Sequence, residues 1–250
     1  DHLMGHNGNN ELYGGSGNDT LRDYWGDDVL DGGEGDDTLV VYNGGTKVLR
    51  GGGGNDTITL SNHSHNTVDG GSGDDVITVD SPTVSNASLV NNTISGGVGN
   101  DQITTGGGND TFLFNRGDGQ DTISDRGYLY RKTPGTDKLI FGSGINVSDL
   151  SGSRVGNDLV LKINDPSDPT ATDQITIKNW NDGAYQIEEF EFSDGTVVDA
   201  AFISNLSMIG TDADETITVW SSSSRVEGNG GNDHLMGHNG NNELYGGSGN

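Results

Sequence analysis

Five stretches of this sequence end a run of glycines on an aspartate and then turn apolar. They read GGSGNDTLR from Gly14, GGEGDDTLV from Gly32, GGGGNDTIT from Gly51, GGSGDDVIT from Gly70 and GGVGNDQIT from Gly96. Weaker copies are TGGGNDTFL from Thr105 and GNGGNDHLM from Gly228. Glycines permit a tight turn with positive φ. With side chains missing, main-chain carbonyls can point at a shared centre beside the aspartate carboxylate. Hard oxygen donors of these two kinds suit Ca²⁺. A phosphate-binding loop is the rival reading of a glycine cluster, and it fails because no Gly-Lys-Ser/Thr follows any of them.

The pattern Gly-Gly-x-Gly-x-Asp-x-U-x, with U a large apolar residue, resembles the calcium-binding nonapeptide of the RTX (repeats-in-toxin) family. The resemblance implies an all-β chain, a right-handed parallel β-roll in which two nonapeptides make one coil. The last three residues of each nonapeptide would form a short strand with U pointing inward. Leu21, Leu39, Ile58, Ile77 and Ile103 would then stack as one apolar row, one strand spacing of about 4.8 Å apart. The family also implies carbonyl donors from the first four turn positions and a side-chain donor from the aspartate. That ligand set is Gly14, Gly15, Gly17 and Asp19; Gly32, Gly33, Gly35 and Asp37; Gly51, Gly52, Gly54 and Asp56; and Gly70, Gly71, Gly73 and Asp75. It continues with Gly96, Gly97, Gly99 and Asp101, then Gly117, Gly119 and Asp121 in RGDGQD, and Gly228, Gly231 and Asp233.

Spacing separates two edges of such a roll. The five full matches start eighteen or nineteen residues apart, with one longer step around VDSPTVSNASLVNN, so every good turn lies on the same edge. The turns between them carry Asn10, Asp28, Lys47, Asn66 and Asn92 at the aspartate position. Lys47 would set an ammonium where a metal should sit. Calcium is therefore expected along one edge and largely absent from the other, with Asp110 the expected exception. GTDADETIT from Gly210 carries Glu215 in place of the aspartate, a weaker site.

From Tyr128 to about Ser204 the nonapeptide gives way to alternating apolar segments, DKLIF, NDLVLKI, DQITIKNW and QIEEFEFSDGTVV, separated by turn residues. This reads as a small, mostly antiparallel β module with a short helical turn near NVSDL. It resembles the haemolysin-type calcium-binding-related domain through Asp137, Leu139, Phe141, Gly144, Ile145, Asp149 and Leu150 and through GNDLVL and ITIKNW. The expected job is structural, a cap over the open strand edge of the roll. Trp180, Tyr185, Phe190 and Phe192 are expected in its core, and Asp165, Asp168 and Asp173 in an acidic hairpin loop. His63 and His65 read as solvent-facing side chains of a degenerate turn. No nucleophile and base are arranged for catalysis, so the chain reads as non-enzymatic.

The tract DHLMGHNGNNELYGGSGN runs from Asp1 to Asn18 and again from Asp233 to Asn250. Such identity reads as slightly more than one period of a tandem array. The expected division is a calcium-binding roll over 1–127, a capping module over 128–203 and the first coils of the next roll over 204–250. Composition agrees. With 38 acidic against 12 basic residues the net charge is −26, which excludes nucleic acid as a partner. Only 29% of the chain is hydrophobic, too little to offset ordering entropy and charge repulsion without added cations. Cysteine is absent, and no apolar run is long enough to span a membrane. Two functions fit: an extender in a large secreted or cell-surface adhesin or extracellular filament, or the folding and secretion block of a type I-secreted toxin or hydrolase. The near-identical repeat favours the extender. Its partners would be neighbouring copies in the same chain, with lateral association of copies left open.

Overall fold

The computed structural model describes residues 1–250 except 62–63, 81–89, 127–134, 207–208, 211, 219–224, 238–240 and 250. Short strands alternate with tight turns. In chain order they are β1 (His2–Met4), β2 (Glu11–Ser16), β3 (Thr20–Asp23), β4 (Asp28–Glu34), β5 (Thr38–Tyr42), β6 (Lys47–Gly53) and β7 (Thr57–Ser61). Next come β8 (Thr67–Ser72), β9 (Val76–Asp80), β10 (Thr93–Val98), β11 (Gln102–Thr105), β12 (Thr111–Phe114), β13 (Gln120–Asp125) and β14 (Lys138–Phe141). Odd strands β1 to β13 pair in parallel in one sheet, and even strands β2 to β14 in a second. Each turn of chain therefore visits both sheets once, the winding of a parallel β-roll.

Alternation within each strand fills the narrow interior. In β3, Leu21 and Asp23 are buried while Arg22 between them is exposed. The register stacks Leu21, Leu39, Ile58, Ile77 and Ile103 in one line, extended by Ile123. A facing line runs through Leu30, Leu49, Val68, Ile94, Phe112 and Leu139. All of these are at most 3% exposed, so the two lines form the core. A third inward line, Val41, Leu60, Val79 and Thr105, has Asp23 at one end and Asp125 at the other.

Beyond the roll come β15 (Leu150–Val155), β16 (Asp158–Ile163), β17 (Gln174–Ile177), β18 (Glu189–Glu191) and β19 (Val197–Asp199). Helix α1 (Ala200–Leu206) follows, and a short 3₁₀ turn at Val147–Asp149 lies where NVSDL suggested one. The pairs β15–β16, β16–β17 and β18–β19 are antiparallel, but β17 adds to β13 and β18 adds to β14 in parallel. The module thus continues both sheets of the roll and finishes each with antiparallel strands. Helix α1 does not show in the alternation that precedes it. It buries Ile203, and its Ser204 Oγ accepts from the indole of buried Trp180 at 3.0 Å. Coiling resumes with β20 (Thr216–Thr218), β21 (Arg225–Glu227), β22 (His234–Met236) and β23 (Glu243–Tyr245), paired β20–β22 and β21–β23 around Ile217 and Val226.

Candidate metal centre

The glycine-rich hexads connect the even sheet to the odd sheet, all on one edge. Their glycines serve two different needs. Gly33 has φ 103°, a conformation open to glycine at little cost, and a Cβ there would also strike the carbonyl of Gly15 one coil away. Gly32 has no such φ. There a Cβ would lie closer than 3 Å to Asp37 Oδ2 of its own turn and to the carbonyl oxygen of Gly51 in the next coil. The same overlap recurs at Gly14 with Asp19 and Gly32, at Gly51 with Asp56 and Gly70, and at Gly70 with Asp75 and Gly96. At Gly96 the overlap is with Asp101. The first glycine is thus required because a carboxylate oxygen and a carbonyl converge over its Cα.

Each aspartate divides its carboxylate between two tasks. Oδ1 accepts a hydrogen bond from the backbone N–H of the aspartate one coil earlier: Asp19 to Asp37, Asp37 to Asp56 and Asp56 to Asp75 at 2.7 Å, Asp75 to Asp101 at 2.8 Å and Asp101 to Asp121 at 3.0 Å. Oδ2 of Asp19, Asp37, Asp56, Asp75, Asp101 and Asp233 is buried and meets no donor among the described residues. A buried anionic oxygen without a partner is costly unless a cation faces it. Among the described residues no three His, Cys, Asp or Glu side chains cluster in a way that could hold a metal. The cradle is instead one carboxylate oxygen set among main-chain carbonyls, a donor set that fits Ca²⁺.

Electrostatics point the same way. Burial, partly offset by the backbone N–H each one accepts, lifts the Asp56 and Asp101 carboxyls to about 6, Asp75 to about 7 and Asp121 to about 8, and also raises Asp37. Burial thus makes the ionised form of these carboxyls costlier than in water, a cost that a facing cation would offset.

The sequence pattern hid a second rail. Asn18, Asp36, Asn55, Asp74 and Asn100, each just before the aspartate, reach in the opposite direction. Asn18 Oδ1 accepts from Asp36 N–H at 3.0 Å, Asp36 from Asn55 at 2.8 Å, Asn55 from Asp74 at 2.7 Å and Asp74 from Asn100 at 2.8 Å. The Asn/Asp–Asp dipeptide therefore clasps the coil before and the coil after. Its signal was present, since the fifth turn position is Asn or Asp in all five full matches.

The other expected positions divide. Asp233 repeats the arrangement: Oδ1 accepts from Glu215 N–H at 3.0 Å, Oδ2 is orphaned, and Gly228 forms the cradle. Asn229 takes φ 65° where the other turns have the second glycine. Asp121 joins the rail, but Arg116 stands where the first glycine should, and its guanidinium binds the carbonyls of Gly144 and Asn164 and the Asp149 carboxylate. Asp110 is buried, with Oδ1 taken by both nitrogens of Asn92, and burial raises its carboxyl to about 6. Asp110 N–H donates to Asp137 Oδ1 at 2.7 Å, which makes Asp137 the next member of the opposite rail rather than part of the module alone. On that edge the Lys47 ammonium is buried against Asp28 Oδ2.

Trp180, Phe190 and Phe192 are core residues, and Tyr185 is half-buried. Asp165 and Asp168 cap their own loop, with carboxyls held low by Ser167 and Thr170. Asp165 Oδ2 also pairs with the Arg116 guanidinium at 3.7 Å, and Asp173 Oδ2 accepts from Gly117 N–H at 2.8 Å, so both tie the loop to the last hexad. His65 Nδ1 accepts from Asn91 N–H at 3.0 Å, while His63 lies outside the described residues.

The haemolysin-type calcium binding protein related domain matches residues 158–201. The RTX calcium-binding nonapeptide repeat (4 copies) matches residues 4–39, 43–63, 64–81, 88–123 and 223–250, more than half of the chain. The iron-regulated protein FrpA of Neisseria meningitidis serogroup C is 35% identical over 118 residues, 47% of this chain and 10% of that protein. The chain thus spans about a tenth of the length of this curated relative. Extracellular lipase LipA from Serratia marcescens is similar over 70% of this chain and 37% of the lipase, at 21% identity and a TM-score of 0.24. The chain belongs to the RTX family of calcium-binding nonapeptide repeat proteins.

Proposed function

We propose that this chain is a non-catalytic structural repeat, an extender folded and stiffened by extracellular Ca²⁺ within a large secreted or cell-surface adhesin or filament. The observation that carries the reading is the row of buried, partnerless Oδ2 atoms over the first glycines of successive hexads. In this reading Asp19, Asp37, Asp56, Asp75 and Asp101, with the hexad carbonyls, hold ions along one edge, and Asp233 does so in the following roll. Asp121 and Asp110 are weaker candidates, because Arg116 and Thr105 stand where their turns should open on a glycine. The division into a roll over 1–127, a cap over 128–203 and the next roll over 204–250 belongs to the same proposal.

The duplicated tract supports tandem copies as the partners and favours the extender over a toxin or hydrolase accessory block. Extracellular calcium modules bind at about 10⁻⁴–10⁻³ M, so folding would await export. Circular dichroism tests the reading. Strong β signal in millimolar Ca²⁺ and its loss in chelator are expected. Equal β content in both media would refute it.

A further inference from the structure

Both edges set an aspartate Oδ2 beside main-chain carbonyls, the first-glycine carbonyl of the next coil on the hexad edge and those of Gly26 and Gly44 on the other. Asp28 holds on the opposite edge the position that Asp19 holds on the metal edge. Its Oδ1 accepts from Asn10 N–H one coil earlier at 2.9 Å, as the aspartates of the metal edge do. Its Oδ2, the atom orphaned on the metal edge, meets the Lys47 ammonium of the next coil. That ammonium also donates to the Gly26 carbonyl of the Asp28 turn and lies 3.5 Å from the Gly44 carbonyl of its own turn. Lys47 and Asp28 side chains are both fully buried. One carboxylate oxygen and carbonyls from two successive turns form a calcium-type donor set, here closed around a group that only donates hydrogens.

We propose that the space between the Asp28 and Lys47 turns is a calcium-type cation site that the chain fills permanently with its own ammonium. The next levels follow the same principle with neutral donors. Asn66 Nδ2 donates to the Ser64 carbonyl and to Asn92 Oδ1 at 2.8 Å, and Asn92 Nδ2 donates to Asp110 Oδ1 at 2.8 Å. A tethered cation is present whatever the calcium concentration, so this clasp joins its coils before ions arrive. The ring stack of His6, Tyr24 and Tyr42 crosses the same coils, with centroids 6.1 and 5.8 Å apart. The inference rests on the reading of the Asp19–Asp101 edge as calcium sites for its comparison.

Equilibrium dialysis with radioactive calcium on the full chain tests it. Lys47→Asp supplies an oxygen at this place and should bind one more Ca²⁺ per chain than the wild type. Lys47→Asn should bind the same extra ion more weakly. Terbium gives a local readout, because the Trp25 ring packs against Gly44: sensitised emission should rise in both variants. Wild-type stoichiometry in both variants would overturn the inference. So would failure of both to regain wild-type β content in saturating calcium, since a metal could then not replace the ammonium. A wild type that binds no calcium would instead defeat the proposed function.

Discussion

The two edges of the roll are built on the same winding and stacked on the same sheets, yet they balance charge in opposite ways. On the hexad edge Asp19, Asp37, Asp56, Asp75 and Asp101 leave a buried oxygen bare. On the other edge the equivalent places hold Asp28 with Lys47, then Asn66 and Asn92, and hydrogens supplied by the chain fill them, although Asp23 at the head of the Asp28 turn keeps a bare buried Oδ2. The difference separates two jobs that the aspartate combines. Its Oδ1 rail holds coils together as ordinary hydrogen bonds do, and Asn66 does the same for Lys47 N–H at 3.1 Å. Its Oδ2 is left buried without a donor, which on the proposed function is the place of an external cation. Under the proposed function, conditional folding would reside in one oxygen atom per hexad.

The largest expected break in this contrast comes from the first glycine. Gly51→Ala puts a methyl between Asp56 Oδ2 and the Gly70 carbonyl, where rigid backbone cannot move aside. Calcium dialysis should report the loss of at least one ion, with a markedly higher calcium midpoint for folding. Gly53→Ala, two residues away, meets the flexible end of Glu34 and, at ordinary contact distance, Ser72 Oγ, and should keep the full stoichiometry.

A smaller break separates the edges by their side chains. Asp75→Ala removes an Oδ2 ligand and leaves the buried Asp56 N–H without its acceptor, a cost of about 1–3 kcal/mol besides the lost ion. Asn66→Ala should cost about 1 kcal/mol and leave the calcium count unchanged. Denaturant melts combined with dialysis check both, and equal calcium loss from the two variants would show the edges wrongly assigned.

Acidity should sharpen the contrast further. The metal-edge carboxyls are raised to between about 6 and about 8 in the folded chain, above the ordinary value near 4. The metal-free fold thus holds more protons than the unfolded chain between about pH 4 and 8. Its stability is greatest below that window and declines as pH rises through it. Calcium binding to that metal-free fold needs the ionised groups, so the folded chain's affinity should move the other way, climbing by up to about tenfold per pH unit for each linked carboxyl. Calcium titrations at pH 5.5, 6.5 and 7.5, followed by circular dichroism, check the sign.

The smallest effect belongs to the second rail. Asn55→Ala deletes one acceptor for Asp74 N–H at the exposed surface and should lower stability by about 1 kcal/mol or less without removing an ion. A loss of calcium from this variant would mean that the fifth position reaches the metal.

Whatever repeats at the period of the coil was legible in the sequence. The hexad, its eighteen- or nineteen-residue spacing and the apolar U position fixed the winding, the Leu21–Ile103 line and the edge that carries the aspartates. Each follows from local backbone geometry, which similar short segments adopt each time they recur. What lies above a given residue in the stack was decided by the tertiary structure. Asp and Asn in adjacent positions look alike in a list, but their hydrogen bonds run toward opposite neighbours. Lys47 reads as a defect until Asp28 and the Gly26 carbonyl are set beneath it. Strands β17 and β18 read as parts of a separate module, yet they add in parallel to the open ends of both sheets. Asp165, Asp168 and Asp173 read as one acidic loop, yet Asp173 reaches Gly117 and Asp165 reaches Arg116 across the junction, while Asp168 bonds Thr170 of its own loop. These partners are brought together by stacking, and local spacing holds no record of which residue will lie one coil away once insertions have changed the count.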